Sequence, residues 1–167
     1  GDAASGSYIK KLEKLWHVDV TATIHVSRRV AQRTLERSHT DLDLSIINLA
    51  WDQASFGMEG DSGEMCTATK GAIMAFTKSL AQTLAPRVRV NCLAPGWIRT
   101  AWGQGASHYW QQRVDSESLL QRWGRPEDVA SVARFLVSPA AQYVTGQIIA
   151  VNGGFRPGGW NNASGER

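Results

Sequence analysis

Long hydrophobic runs are missing from this sequence. Nothing approaches the roughly 18 consecutive apolar residues that a membrane-spanning helix needs, and the opening GDAASGSYIKK has no apolar stretch of the signal-peptide kind. No membrane partner is expected. Cysteine is scarce as well. Cys66 and Cys92 are too few for a disulfide framework and are not at metal-ligand spacing, and each falls inside an expected regular element. A reducing, cytoplasmic setting without a bound metal is therefore expected. His17, His25, His39 and His108 do not pair with acids at metal or triad spacing. Charge runs are absent too: the net charge is +3, and basic residues such as Arg28-Arg29, Lys78, Arg87, Arg99 and Arg134 are scattered. That pattern argues for a solvated surface and against a nucleic-acid partner. The chain opens on Gly1 rather than methionine and is expected to be a piece of something longer.

What is present suffices for one core: 167 residues, 43% hydrophobic and 20% charged. Ile9, Leu12, Trp16, Val20, Ile24, Val30 and Leu35 recur mostly at steps of three and four, which predicts one long amphipathic helix over 8–37. Leu44 to Ala50 reads as a buried strand, and residues 51–64, WDQASFGMEGDSGE, as an irregular loop. A second helix then runs to about Leu84, with Pro86 as its stop. Arg87 to Ala94 is a second strand closed by Pro95-Gly96, and 101–124, with weak periodicity, reads as a mobile cover. Pro126-Glu127-Asp128 opens a third helix that Ser138-Pro139 ends, and Gln147 to Val151 is a third strand. Gly153-Gly154 starts a tail expected to fray.

This order implies parallel strands joined by crossovers, hence an α/β fold of about three strands with helices on both faces. Three strands make a narrow sheet. The edge at Leu44 to Ala50 is expected to invite pairing with another chain and to make the isolated chain oligomeric or aggregation-prone.

From about Trp16 to Gly154 the chain resembles the short-chain dehydrogenase/reductase family. The phrases that carry the likeness include Ser45-Ile46-Ile47-Asn48, Thr69-Lys70-Gly71-Ala72, Arg89-Val90-Asn91, Ala94-Pro95-Gly96-Trp97-Ile98-Arg99-Thr100, Arg122-Trp123-Gly124-Arg125-Pro126 and Val151-Asn152-Gly153-Gly154. It is similar in flavour to the 3-oxoacyl-carrier-protein reductase and glucose dehydrogenase branch. The resemblance implies that residues 1–154 form the C-terminal part of a doubly wound Rossmann-type domain, with 155–167 as a flexible tail. It also implies hydride transfer between NAD or NADP and a small carbonyl or alcohol substrate. In the family a tyrosine acts as acid/base and a lysine one helical turn later lowers its pKa. Lys70 matches that lysine, while the tyrosine position is Cys66. The family's serine sits three residues after the strand asparagine or thirteen before the tyrosine, counts that give Trp51 and Gln53; Ser55 is the nearest hydroxyl. The helix asparagine corresponds to Thr21.

The resemblance further implies that Pro95, Gly96, Ile98 and Thr100 wrap the nicotinamide and that Lys70 binds its ribose. No G-x-G-x-x-G or G-x-x-x-G-x-G turn precedes a strand and helix, so tight binding of NAD or NADP is not expected; Gly57 and Gly60 count as loop glycines. Cys66 has two readings, a reactive thiol beside a cation or a small residue filling the tyrosine's place. Lys70 alternatively is a solvated helix lysine. Trp97, Trp102, Tyr109, Trp110 and Trp123 either line an apolar pocket or pack the cover. The family's paired helices imply a homo- or hetero-oligomer through 8–37 and 67–84, with Trp16 and Phe76 as contacts. The expected function is an oxidoreductase domain with an impaired or inactive site, and the alternative is a non-catalytic interaction subunit beside an active relative.

Overall fold

The computed structural model describes residues 7–36 and 44–156. The expected first helix is helical throughout its described length but not uniform. It comprises α1 (Tyr8–Leu15), a π-helical segment (Trp16–Thr21) and α2 (Ala22–Glu36). The wider π turn shifts the register of the apolar stripe by one residue, which the three-and-four spacing of side chains does not reveal. β1 (Leu44–Leu49) follows, then a 3-10 turn (Asp52–Ser55).

The expected loop over 51–64 is shorter than its composition suggests. Helix α3 (Asp61–Leu84) begins at Asp61, with Gly60 before it at φ 83° and Asp61 and Glu64 in its first turn, where carboxylates meet the positive end of the helix dipole. Gly63 is required here. A Cβ at that position would lie 2.5 Å from the Met58 carbonyl oxygen, so glycine lets the preceding loop fold down onto the helix.

β2 (Val88–Pro95) is buried along seven of its eight residues because it is the middle strand, paired in parallel with β1 on one side and β3 (Ile148–Val151) on the other. The register puts Asn48 opposite Cys92 and Ala94 opposite Ala150. Alternation then sorts the strand's residues. Val88 and Val90 pack on α2 and α3 through Ala31, Leu80 and Leu84, and Cys92 and Ala94 meet Ile73 and Met74. On the other face, Leu93 packs on Leu136 of α6 (Pro126–Val137), backed by Ile47, Val132 and Ile149. Helices thus cover both faces of a three-stranded parallel sheet, the arrangement expected from the element order.

Two polar side chains on β2 fix what the apolar ones cannot. Arg89 Nη1 donates to the carbonyls of Leu136 (2.8 Å) and Ala141 (2.9 Å), tying the end of α6 to the sheet. Asn91 donates to Val144 O at 2.9 Å and accepts from Gln147 N–H at 3.0 Å, so it sets where β3 begins. A third buried set links layers: Ser27 Oγ donates to Asn48 Oδ1 (3.0 Å), and Asn48 Nδ2 donates to Thr77 Oγ1 (2.9 Å).

Residues 101–124 carry two helices, α4 (Ala101–Gln104) and α5 (His108–Glu117), a correction to the weakly structured cover read from the sequence. Their anchor is a buried cluster of Trp97, Val114 and Trp123. The tail is also tied down as far as it is described: Leu119 N–H donates to Gly154 O (2.9 Å), Leu120 N–H to Gly153 O (3.0 Å) and Arg156 N–H to Glu117 O (2.9 Å). Fraying therefore does not begin at Gly153, and residues 157–167 lie outside the described residues. No helix among the described residues is long and apolar enough to cross a membrane.

Replacing the buried Asn91 by Ala would leave the part-buried Val144 carbonyl and Gln147 N–H without their partner and open a polar gap beside them. A destabilisation of about 2–4 kcal/mol is expected, read as a lower urea midpoint with unchanged m-value.

Candidate functional site

The C-terminal ends of β1 and β2, the first turns of α3 and the start of α6 enclose a cavity of about 1000 Å³. This is where a parallel α/β sheet places ligands, because the strands end there and the connecting segments diverge. Cys66 lies on its wall from α3, one turn beyond Ser62, which also lines it. Pro95, Gly96, Ile98 and Thr100, the expected nicotinamide segment, all line the same cavity. Trp51, Met58, Trp97 and Trp110 supply its aromatic and thioether surface.

Gly96 is held by geometry. Its N–H donates to Val151 O at 3.1 Å, and a Cβ there would sit 2.6 Å from Asn152 Cβ and 3.2 Å from Asp52 Oδ2. Only glycine allows the segment to pass so close to the end of β3. The segment is thereby held against the end of β3 while Pro95, Gly96, Ile98 and Thr100 face the cavity. Asn152 Nδ2 donates to Asp52 Oδ2 at 3.0 Å behind it.

Lys70 is not on this cavity. Its ammonium pairs with Asp19 of the π segment at 3.0 Å, and it borders a separate groove with Val26 and Asn48. The solvated-lysine reading is corrected accordingly: the side chain is half-buried and ion-paired. The Cys66 thiol is pushed up, first by burial and then by the Asp19 carboxylate, with Lys70 pulling the other way. Of the two readings of Cys66, this favours the filler, because a thiol held above its usual range stays protonated near neutral pH. Cys92 is pushed further, to about 11, chiefly by burial.

Of the positions matching the family's serine, Trp51 lines the cavity, whereas Gln53 is 1% exposed and directed into the protein. Ser55 Oγ faces Met74 Sδ at 3.9 Å and does not line the cavity. Trp97 and Trp110 do both things expected of the aromatics: they line the cavity and pack together, with centroids 5.3 Å apart, while Trp123 stands behind Trp97 at 6.2 Å. Tyr109 is mostly exposed, and the Trp102 side chain lies outside the described residues.

Several participants were not foreseen. Arg113 Nη1 contacts Glu59 at 2.7 Å and its Nε contacts Glu117 at 2.6 Å, and Glu117 also accepts from Trp97 Nε1 at 3.2 Å. This chain fastens α5 to the loop before α3 and to the cavity wall. Asp52 is 2% exposed, and its Oδ1 makes no hydrogen bond among the described residues. Burial raises its carboxyl from 3.8 to about 6, outweighing the lowering by Asn152. Ser62 could have been found from its four-residue spacing to Cys66 had the helix start been placed at Asp61; Asp52 and Arg113 carry no local signal.

A family model described as Enoyl-(Acyl carrier protein) reductase matches residues 5–156. The chain is similar to the 3-oxoacyl-(acyl-carrier-protein) reductase of Aquifex aeolicus, 36% identical over 144 residues that cover 85% of this chain and 55% of the relative. It is also similar to the tropinone reductase-like 3 protein of Erythroxylum coca, at 34% identity over 86% of this chain and 53% of the relative. Among solved structures, a short-chain glucose/ribitol dehydrogenase from Brucella melitensis superposes with a TM-score of 0.74 at 31% identity, covering 87% of this chain and 56% of that one. A 4-hydroxyisoleucine dehydrogenase complexed with NADH superposes at 0.76 and 28% identity, covering 89% and 61%. The chain thus spans just over half the length of the relatives it matches.

Two outcomes follow from the electrostatics. Because the folded Asp52 keeps its proton up to about 6 while the unfolded chain releases it near 3.8, folding is undisturbed below about pH 4. Stability is then lost as pH rises through 6, by about 3 kcal/mol. Asp52→Asn should remove that loss, seen as a stability gap over the parent that opens between pH 4 and 7 in urea titrations. Separately, Cys66 should alkylate with iodoacetamide at pH 7.5 more slowly than glutathione does, and Asp19→Asn should speed it, as followed by mass spectrometry.

Proposed function

Because this chain belongs to the short-chain dehydrogenase/reductase family, whose members are NAD(P)-dependent oxidoreductases, we propose that it carries the nicotinamide and substrate side of such a site with its proton relay taken apart. One observation carries the reading: Cys66 stands on the cavity wall where the family places its tyrosine, while Lys70, four residues on, is held by Asp19 outside that cavity. A phenol and a thiol are not interchangeable here. They start near pKa 10 and 8.5, respectively, and the thiol, shorter by a whole ring, is pushed up rather than down. No carboxylate among the described residues lines the cavity to serve as an alternative acid.

The residues that would hold a nicotinamide are Pro95, Gly96, Ile98 and Thr100, on the stretch of wall whose close approach to β3 Gly96 makes possible. A nicotinamide bound there would supply or accept the hydride for a carbonyl or alcohol. Lys70 would serve its ribose only by exchanging Asp19 for the ribose hydroxyls. The chain as it stands is an impaired member of the family in a cytoplasmic setting, formed by residues 1–154 with 155–167 as a tail.

A second reading, an interaction subunit without catalysis, is favoured by exposed apolar groups. Trp16, Val18, Val26 and Val30 are all more than 40% exposed along the first helical stretch. β1 is the outer strand of the described sheet, an edge that another chain could extend. Phe76 belongs less to that surface than the sequence suggests, because it packs onto the cluster of Ala31, Leu80 and Leu84.

Calorimetry should give a dissociation constant for NADH and NADPH weaker than about 10 μM, equivalent to less than about 6.8 kcal/mol of binding free energy. At millimolar cofactor, Cys66→Ala should leave any carbonyl reduction unchanged, and a gain in Cys66→Tyr would mark the site as decayed. Loss of turnover in a folded Cys66→Ala variant would overturn the reading. For the second reading, light scattering should report self-association, against which a cooperatively unfolding monomer would count.

A further inference from the structure

Building on the reading of the cavity as an oxidoreductase site, we infer that it takes an uncharged, flat, apolar carbonyl compound or its secondary alcohol, an aryl or fused-ring ketone. Among the described residues, the cavity walls carry no Asp, Glu, Lys, Arg or His. Beyond the nicotinamide segment, its surface comes chiefly from Trp51, Met58, Trp97 and Trp110, three aromatic faces and a thioether that adapts to ring edges. Val129 and Ala130 of α6 close the rim with further apolar surface.

Several nearby charges are already paired, while the exposed Arg99 and Arg125 flank the lining residues Ile98, Thr100 and Pro126 without lining the cavity themselves. Arg113 lies over Trp97 and Trp110, its guanidinium carbon 5.9 and 5.4 Å from the ring centroids, so a cation does stand behind this aromatic wall. It is nonetheless held between Glu59 and Glu117 at 2.7 and 2.6 Å. Arg122 pairs with Asp128 at 2.8 Å, and Lys70 with Asp19 at 3.0 Å. A carboxylate or phosphate seated on this wall would lose part of its water and meet no cationic side chain among the described lining residues, a cost that selects against it. Polyols fare little better. The polar side chains on the wall are Ser62, Cys66 and Thr100, too few to replace the hydration of several hydroxyls. They suffice for one oxygen: Ser62 and Cys66 stand one helical turn apart and present a hydroxyl and a protonated thiol as donors.

The test compares 2-acetylnaphthalene with 6-acetyl-2-naphthoate, which share a ring system and ketone and differ by one carboxylate. Tryptophan fluorescence and calorimetry on the chain alone should show the neutral ketone binding at least about tenfold more tightly. Trp51→Ala should weaken the ketone by about fivefold or more. Ala130→Lys, which puts a cation on the exposed rim, should narrow or reverse the ketone's advantage over the naphthoate; it serves as the independent variant if Trp51→Ala does not fold. Equal affinities, a preference for the naphthoate, no ketone binding by protein whose circular dichroism is folded, or ketone binding indifferent to a folded Trp51→Ala would each overturn the inference. No nicotinamide is present in these titrations, so failure of cofactor binding or turnover bears on the proposed function and not on this result.

Discussion

At the end of β2 the backbone passes Asn152 so closely that a single methyl group at position 96 would overlap its Cβ, and the cavity depends on that approach. It brings the Pro95–Thr100 segment against the end of β3, turns Trp97 inward beneath α5, and leaves Asp52 and Asn152 bonded behind the wall. Steric exclusion, not attraction, sets this arrangement. The strand register supplies it: with Pro95 paired to Val151, the next residues on each strand, Gly96 and Asn152, are brought side by side.

Attraction enters around that constraint as buried polar contacts. Asn91 and Arg89 satisfy carbonyls and an N–H that the sheet and α6 would otherwise leave bare, and Ser27, Asn48 and Thr77 join three layers by side-chain hydrogen bonds. Each costs desolvation and returns it as hydrogen bonding, so their effect is on uniqueness of register more than on total stability. Exceptions cluster near the site, where the buried Gln53 amide and Thr67 hydroxyl make no hydrogen bond among the described residues. Asp52, buried with one oxygen unpartnered, holds its proton into the range near 6, a local cost tolerated beside the cavity wall. Strain or unmet polarity beside a site, set against a well-satisfied core, is the distribution expected when a site and a scaffold place different demands on the same residues.

The fate of the relay follows from charge and reach. A cation four residues after an acid on a helix shares its face and favours ionisation. Here the cation has a nearer partner in Asp19, and the same carboxylate opposes ionisation of the thiol. On the proposed reading, the aromatic wall serves recognition while the thiol beside it keeps its proton.

By itself the sequence determined the layer order, the parallel crossovers and the two-faced packing of β2, because hydrophobic periodicity, proline and glycine act over a few neighbouring residues; Pro95 to Thr100 stood out as a site segment only through the family resemblance. It also showed Cys66 and Lys70 at helical spacing. It did not show the π turn that places Asp19 beside Lys70, the helix start at Asp61 that turns Ser62 to the cavity, or the ordering of 101–120 by Trp97, Val114 and Trp123. Asp52 with Asn152, and Arg113 with Glu59, meet across 100 and 54 residues of chain. Such pairs arise from how separate elements are stacked, and no local pattern encodes them. Only the tertiary structure could decide that Lys70 pairs with Asp19, since helical spacing fixes a shared face but not which partner an ammonium on a flexible stem will choose.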